Sequence, residues 1–145
     1  SISGDAKFFT VIINERLKKW SMENDKITDA QFGFKTDYST VDAIFILNSL
    51  IEKFINDKKK LFCCFIDFKK AYDLIDRSCL WYKLINCGID GKLFSVIYSM
   101  YEEVKLCVKH VNTLSEFFNR EIGLFQGEII SPIILILFLN DLENA

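Results

Sequence analysis

Asp67 is the residue of this sequence that is best placed to do chemistry. It follows the apolar run Leu61-Phe-Cys-Cys-Phe-Ile66 and opens the segment Asp67-Phe-Lys-Lys-Ala-Tyr-Asp73. A carboxylate at the end of a buried strand is costly to bury unless it is paired or binds a metal. The same side chain could instead cap the turn after the strand, and the pattern alone favours that structural role. Asp67 is therefore a candidate metal ligand with a turn residue as its alternative.

A glutamine between two glycines, in Gly123-Leu-Phe-Gln-Gly127, is the second candidate. Glycines let a backbone approach a ligand closely, and the side-chain amide of Gln126 can hydrogen-bond a base or a sugar. The alternative is a loop that only caps the last helix, which spacing does not exclude. This loop is therefore a candidate ligand contact.

Lys35, in Lys35-Thr-Asp-Tyr-Ser-Thr40, is the third candidate. A lysine beside free N–H groups at the start of a helix can meet a phosphate group. As composition alone, this signal is weak. Two aspartates, Asp73 and Asp76, are expected to be structural, in a solvated turn with Arg77 as their ion-pair partner.

The spacing of apolar residues predicts the elements that must position these candidates. Helical periodicity predicts four helices, at 7–22, 40–56, 78–86 and 90–101. Ser39 is expected to cap the second of them, and Ser131-Pro132 to cap and begin a last helix. The run 61–66 predicts a buried central strand, and residues 104–122 predict a β-hairpin. The expected fold class is α/β (α+β), with more helix than strand.

Composition bounds the class of protein. The chain has 145 residues, of which 50% are hydrophobic, and a formal net charge of −2. This excludes a disordered chain, and the charge taken alone speaks against a strongly basic nucleic-acid binder. Five cysteines without a C-x-x-C pair indicate a reducing compartment rather than a disulfide framework. No apolar run approaches the roughly 20 residues of a membrane-spanning helix, so no membrane partner is expected.

Three motifs occur along the chain in a fixed order. They are Gln31–Ile44, Phe65–Asp73 and Gly123–Pro132, the last followed by Phe138-Leu-Asn-Asp-Leu142. Together they resemble the reverse transcriptase of non-LTR (LINE-type) retrotransposons, over nearly the whole chain. The resemblance implies a partial right-hand polymerase whose parent copies RNA into DNA.

The resemblance also implies a division of the chain. Residues 1–58 and 88–122 would form the fingers, and residues 59–87 and 123–145 an incomplete palm. The implied partners are an RNA template, a DNA primer and dNTPs. The implied location is intracellular, in the cytoplasm, the nucleus or both.

A metal site is implied at Asp67. This residue matches the first metal-binding aspartate of the polymerase palm, with the backbone carbonyl of Phe68 beside it. Nucleotidyl transfer of this kind uses two Mg²⁺ ions, which activate the primer 3′-OH and neutralise the leaving pyrophosphate. The implied cofactor is therefore Mg²⁺, in the complete parent enzyme.

Four further residues are implied to contact the nucleotide. Tyr72 matches the aromatic gate that lies against the sugar 2′ position and favours deoxynucleotides. Gln126 and Gly127 match the loop that packs against the incoming nucleotide and the template. Lys35 matches a basic residue of the fingers that contacts the triphosphate.

The sequence departs from the family pattern at three places. Lys35 and Tyr38 stand where the family usually has arginines, and Asp37 replaces a glycine. Phe125 stands where the family usually has proline or arginine. The sequence contains no Asp-Asp dipeptide, so the family's second carboxylate motif is expected to be missing, as is the thumb.

Two functional hypotheses follow from these departures. The first is a fragment of an RNA-directed DNA polymerase that is inactive as an isolated chain. The alternative is a non-enzymatic remnant of a degenerate element, acting as a structural or nucleic-acid-binding module. An open palm edge would leave apolar surface exposed near the C-terminal helix, so marginal stability or self-association of the chain is expected.

Overall fold

Apolar residues at helical spacing form helices where the sequence predicts them. A computed structural model describes residues 4–35, 37–102 and 105–142. In these ranges the helices are α1 Gly4–Glu23, α2 Thr40–Asn56, α3 Arg77–Cys87, α4 Gly91–Glu102 and α5 Ser131–Leu139. The strands are β1 Lys105–Leu106, β2 Lys109–His110, β3 Thr113–Leu114 and β4 Phe118–Asn119. The predicted α+β class is confirmed.

Four helices share one apolar core. α5 packs against α1 and α3, and α4 packs against both of these helices as well. α5 is apolar nearly all round, which is typical of a helix enclosed by its neighbours. The buried side chains include Ile13, Leu17, Leu80, Leu84, Ile97, Tyr101, Ile134 and Leu137. No helix in the described ranges is both long and apolar enough to cross a membrane.

α2 lies apart from this core. Its N-terminus is well formed, because the hydroxyl of Ser39 accepts a hydrogen bond from the Asp42 N–H while the Asp42 carboxylate accepts one from the Ser39 N–H. None of its described residues is buried, and the apolar side chains of Val41, Ile44 and Phe45 are exposed. Local sequence, rather than packing, therefore sets the N-terminal boundary of α2.

The predicted buried strand at 61–66 is wrong. Residues 61–68 belong to no strand, and Phe62 and Phe65 are 88% and 81% exposed. A strand needs a neighbour that pairs with its N–H and C=O groups and a layer that covers its face. In the described part of the chain, β1 pairs only with β4 and β2 only with β3, so no strand pairs with residues 61–68.

The predicted hairpin is present. β2 pairs with β3 in antiparallel register, His110 opposite Thr113, and β1 pairs with β4, Leu106 opposite Phe118. Residue 104, where the hairpin was expected to begin, lies outside the described residues. Past β4, an antiparallel bridge joins Ile122 to Asp76 just before α3. The chain therefore returns from the hairpin to the segment that follows Asp67.

A buried arginine ties α3, α4 and the Gly123 loop together. Arg77 donates hydrogen bonds to the carbonyls of Gly123, at 3.0 Å, and Tyr101, at 2.8 Å. Its guanidinium lies 3.7 Å from the carboxylate of Glu102. Burial lowers the pKa of Arg77, and the Glu102 carboxylate opposes that shift. The expected surface ion pair is wrong: Asp73 pairs instead with Arg120 at 2.8 Å, because the Arg77 side chain turns inward.

An aromatic stack lies against this arginine. The rings of Tyr101 and Phe125 are nearly parallel, with centroids 5.1 Å apart, and the Arg77 guanidinium lies 5.5 Å from the Phe125 ring centroid. The Ser131 hydroxyl donates to the Phe125 carbonyl at 2.7 Å and lies 3.0 Å from the Tyr101 hydroxyl. Burial raises the pKa of Tyr101 to about 12. The sequence predicted Ser131 as the N-cap of α5, and this prediction is wrong. Ile130 occupies the cap position, and the Ser131 hydroxyl donates to the Phe125 carbonyl instead.

Replacing the buried arginine tests this arrangement. We expect Arg77→Ala to lower the free energy of unfolding by about 2–4 kcal/mol, because two buried carbonyl acceptors lose their donor. Arg16→Ala is the matched control, since Arg16 is exposed on α1. Urea unfolding followed by circular dichroism measures both variants. Equal stability of the two variants would show that Arg77 holds nothing in place.

A pH dependence is expected at the cap of α2. Hydrogen bonds from the Ser39 hydroxyl and backbone hold the pKa of Asp42 below its ordinary 3.8. Because the folded pKa is the lower one, this stabilisation is present above about pH 4 and is lost as the pH falls through the folded value. We expect Asp42→Asn to be less stable than wild type at pH 6, and the difference to shrink as the pH falls below about 4. Glu52→Gln, in the same helix, is the control, and urea unfolding measures both variants at the same pH values.

Candidate functional site

Asp67 lies at the end of the exposed segment 61–68. Its side chain and that of Phe68 are open to solvent. The Asp67 carboxylate and the Phe68 carbonyl are two oxygen donors, whereas Mg²⁺ requires near-octahedral coordination. Within the described residues, no group of three His, Cys, Asp or Glu side chains is arranged to hold a metal ion. The donor set therefore fits only part of a metal site, and no reaction step follows from it alone.

Tyr72 lies against the Gly123–Gly127 loop. The N–H of Leu124 donates to the Tyr72 carbonyl at 2.7 Å, and the N–H of Gly123 donates to the Ile75 carbonyl at the same distance. The Tyr72 side chain is half-buried, and burial raises the pKa of its phenol. Two of the three motifs are therefore joined through their backbones.

Gly123 makes this close approach possible. Its φ is +78°, and an added Cβ would lie 2.5 Å from the carbonyl oxygen of Asp73. Both the backbone angle and the space require glycine at this position. Any side chain here would push the loop away from the segment that carries Tyr72.

Gln126 and Gly127 form the exposed tip of the same loop. The tip is a turn, in which the Glu128 N–H donates to the Phe125 carbonyl at 3.2 Å and Gly127 has a φ of +89°. The flanking residue Phe125 is held in place by contacts with Arg77, Tyr101 and Ser131. The amide of Gln126 is therefore presented to solvent on a backbone that the core holds in place.

Lys35 belongs to a separate group of contacts, here named the Lys35 cluster, of Thr28, Asp29, Lys35 and Tyr38. The ammonium donates to the Asp29 carboxylate at 2.8 Å and to the Thr28 carbonyl at 3.3 Å. It also lies 4.2 Å from the centroid of the Tyr38 ring, while the Tyr38 hydroxyl donates to Asp29 at 2.9 Å. Thr36, in the same motif, lies outside the described residues.

Within the Lys35 cluster, Asp29 and Lys35 each favour the charged form of the other. The hydrogen bond with Asp29 raises the pKa of Lys35, and the hydrogen bonds from Lys35 and Tyr38 lower the pKa of Asp29. Asp29 carries no signal of its own in the sequence. Its separation from Lys35 by six positions matches no helical or strand spacing, so only the loop conformation reveals the pair.

The structure thus joins some of the candidate residues and leaves others apart. Tyr72 contacts the loop of Gln126 and Gly127 through backbone hydrogen bonds. The Lys35 cluster is joined instead to the end of α5, where the Asn140 side chain accepts a hydrogen bond from the Thr28 N–H at 2.9 Å. Among the contacts of the described residues, none connects Lys35 with Asp67.

Comparisons with known proteins bear on this arrangement. The profile of the family "Reverse transcriptase (RNA-dependent DNA polymerase)" matches residues 2–145. The probable RNA-directed DNA polymerase from transposon BS of Drosophila melanogaster is 27% identical over 141 residues, 97% of this chain and 16% of that protein. The RNA-directed DNA polymerase from mobile element jockey of Drosophila funebris is 26% identical over 114 residues, 79% of this chain and 12% of that protein.

A third relative agrees with these two. The probable RNA-directed DNA polymerase from transposon X-element of Drosophila melanogaster is 25% identical over 124 residues, 85% of this chain and 14% of that protein. This chain therefore spans less than a fifth of the length of each relative. No solved structure matches it. The family match and these relatives confirm the resemblance to non-LTR elements, and the chain belongs to the reverse transcriptase (RNA-dependent DNA polymerase) family.

Proposed function

We propose that this chain is the nucleotide-binding part of an RNA-directed DNA polymerase that copies an RNA template from a DNA primer with dNTPs. The observation that carries the proposal is the pair of backbone hydrogen bonds from Gly123 and Leu124 to Ile75 and Tyr72. These bonds place the glutamine loop beside the segment that begins at Asp67. A nucleotide bound against the surface that they share would contact both motifs.

Each candidate residue has a role in this proposal. Tyr72 lies against the sugar, Gln126 and Gly127 pack against the incoming nucleotide and the template, and Lys35 contacts the triphosphate. Asp67, with the Phe68 carbonyl, contributes two of the ligands of a metal ion. Reverse transcriptases depend on divalent metal ions, and we propose Mg²⁺ as the ion, with its remaining ligands supplied from outside the described residues.

The wider architecture is also a proposal. Residues 1–58 and 88–122 form fingers and residues 59–87 and 123–145 form palm, although side chains from both, such as Ile97 and Leu84, meet in one core. We propose an intracellular location, in the cytoplasm, the nucleus or both. The five cysteines are free thiols, which suits a reducing compartment.

The isolated chain is expected to lack polymerase activity. A two-metal site needs carboxylates that face Asp67, and the described residues bring none into a cluster with it. Primer extension on an RNA template with labelled dNTPs and Mg²⁺ measures this directly. Metal-dependent incorporation by the purified chain would contradict the expectation.

A chimera tests the role of Asp67. In it, this chain replaces the matching segment of the transposon BS polymerase, and primer extension is the assay. We expect Asp67→Asn to reduce extension to background without lowering stability, because the exposed carboxylate contributes charge rather than packing. Asp25→Asn, an exposed aspartate outside the three motifs, is the control. Extension that survives Asp67→Asn, or a folded chimera without activity, would overturn the assignment.

The second candidate function is a non-enzymatic remnant acting as a structural or nucleic-acid-binding module. It is favoured by the Lys35 cluster, in which a carboxylate already pairs with the cation that would meet a triphosphate. The genomic reading frame downstream discriminates the two candidates. An intact Asp-Asp motif favours the enzyme, and an early stop codon favours the remnant.

Self-association of the chain is expected through the exposed apolar residues of α2, since the last helix, α5, is itself largely buried. Phe45 and Ile44 of α2 are 70% and 59% exposed, and apolar patches of this kind favour contact between molecules. We expect sedimentation velocity to detect oligomers of the wild-type chain and fewer of them for Phe45→Glu. Asn112→Glu, an equal charge change in the exposed hairpin turn, should leave the distribution unchanged. A monodisperse wild-type monomer would refute this expectation.

A further inference from the structure

The contacts of Lys35 are unequal in their exposure to solvent. The Lys35 side chain is 20% exposed, whereas that of Asp29 is 92% exposed. The ammonium is held from the protein side by the Thr28 carbonyl and by the face of the Tyr38 ring. The Asp29 carboxylate meets it from the solvent side. The Lys35 ammonium is therefore positioned by the protein, whereas the Asp29 carboxylate that pairs with it is exposed to solvent.

Asp29 takes the place that an anionic ligand would occupy. Its Oδ1 accepts hydrogen bonds from both Lys35 and the Tyr38 hydroxyl. A phosphate oxygen has the same charge and the same capacity to accept two donors. The ammonium and the phenol thus form a two-donor anion site that an internal carboxylate fills.

The site is anchored rather than loose. The N–H of Thr28 donates to the Asn140 side chain at the end of α5, and Phe32 packs edge-on against Tyr38 with ring centroids 5.4 Å apart. These contacts hold the two donors in place when the carboxylate leaves. Tyr38 stands where the family usually has arginine, so a neutral donor serves there.

We propose that Asp29 is an internal competitor for the polyphosphate group of the nucleotide, which binds Lys35 and Tyr38 by displacing the Asp29 carboxylate. The inference rests on the proposed function, because that assigns Lys35 to the triphosphate. Exposed ion pairs contribute little to stability, so displacement costs little and tunes affinity by about two- to fivefold. Asp29 therefore sets the affinity of this chain for a polyphosphate, although its carboxylate does not contact the bound polyphosphate.

Binding of inorganic tripolyphosphate to the purified 145-residue chain tests the proposal. Isothermal titration calorimetry at low ionic strength, without divalent metal, compares wild type with four variants: Asp29→Asn, Asp37→Asn, Lys35→Gln and Tyr38→Phe. Asp37 is the matched control, because it is an exposed aspartate of the same loop and its replacement changes the net charge equally. Circular dichroism verifies that each variant is folded.

We expect Asp29→Asn to bind about two- to fivefold more tightly than wild type, with Asp37→Asn close to wild type. Lys35→Gln should lose binding and Tyr38→Phe should weaken it. Equal affinity of wild type and Asp29→Asn, with binding lost in Lys35→Gln, would overturn the role of Asp29 and leave that of Lys35 standing. If Asp37→Asn increased the affinity as much as Asp29→Asn, the effect would come from the net charge of the loop, and the inference would be overturned. No binding by any folded chain, or full binding by Lys35→Gln, would overturn the proposed role of Lys35 and the inference with it.

Discussion

The buried guanidinium of Arg77 is the constraint on which the rest of the structure depends. Transferring a charge out of water is costly, so it persists only where donors and acceptors compensate it. Here the compensation comes from two separate parts of the chain, namely Tyr101 and Glu102 at the end of α4, and Gly123 and the ring of Phe125 in the Gly123–Gly127 loop. Any displacement of α4 or of the loop relative to the start of α3 would remove one of these partners.

The same constraint explains how an unusual residue is accommodated. Phe125 departs from the family pattern, yet its ring stacks on Tyr101, and the guanidinium lies 5.5 Å from the Phe125 ring and 5.6 Å from the Tyr101 ring. Its carbonyl accepts from Ser131, which joins the loop to α5. The loop tip can therefore expose Gln126 while its base belongs to the core. Rigid support beneath an exposed polar group is what a binding loop needs.

The sequence predicted what depends on local spacing and missed what depends on contacts between distant segments. The helices and the cap at Ser39 follow from residues within a few positions of each other, so periodicity and composition identify them. Arg77, Ser131 and Asp29 were misassigned or overlooked because their partners lie in other elements or across an irregular loop. The run 61–66 has the composition of a strand, but a strand also requires a neighbour, which no local pattern supplies. The motifs predicted candidate residues, and only the fold showed that Tyr72 adjoins the glutamine loop, whereas the described contacts of Lys35 are with Thr28, Asp29 and Tyr38.

The capping box of α2 has a consequence for any surface that covers this helix. Helices usually gain most of their stability from tertiary packing. α2 has no buried residue in the described range, yet its first turn is closed by the reciprocal bonds of Ser39 and Asp42. The first turn of α2 is thus specified by local bonds, without burial of its apolar side. The backbone entropy of that turn is already lost, so a surface that later covers α2 would mainly have to order side chains.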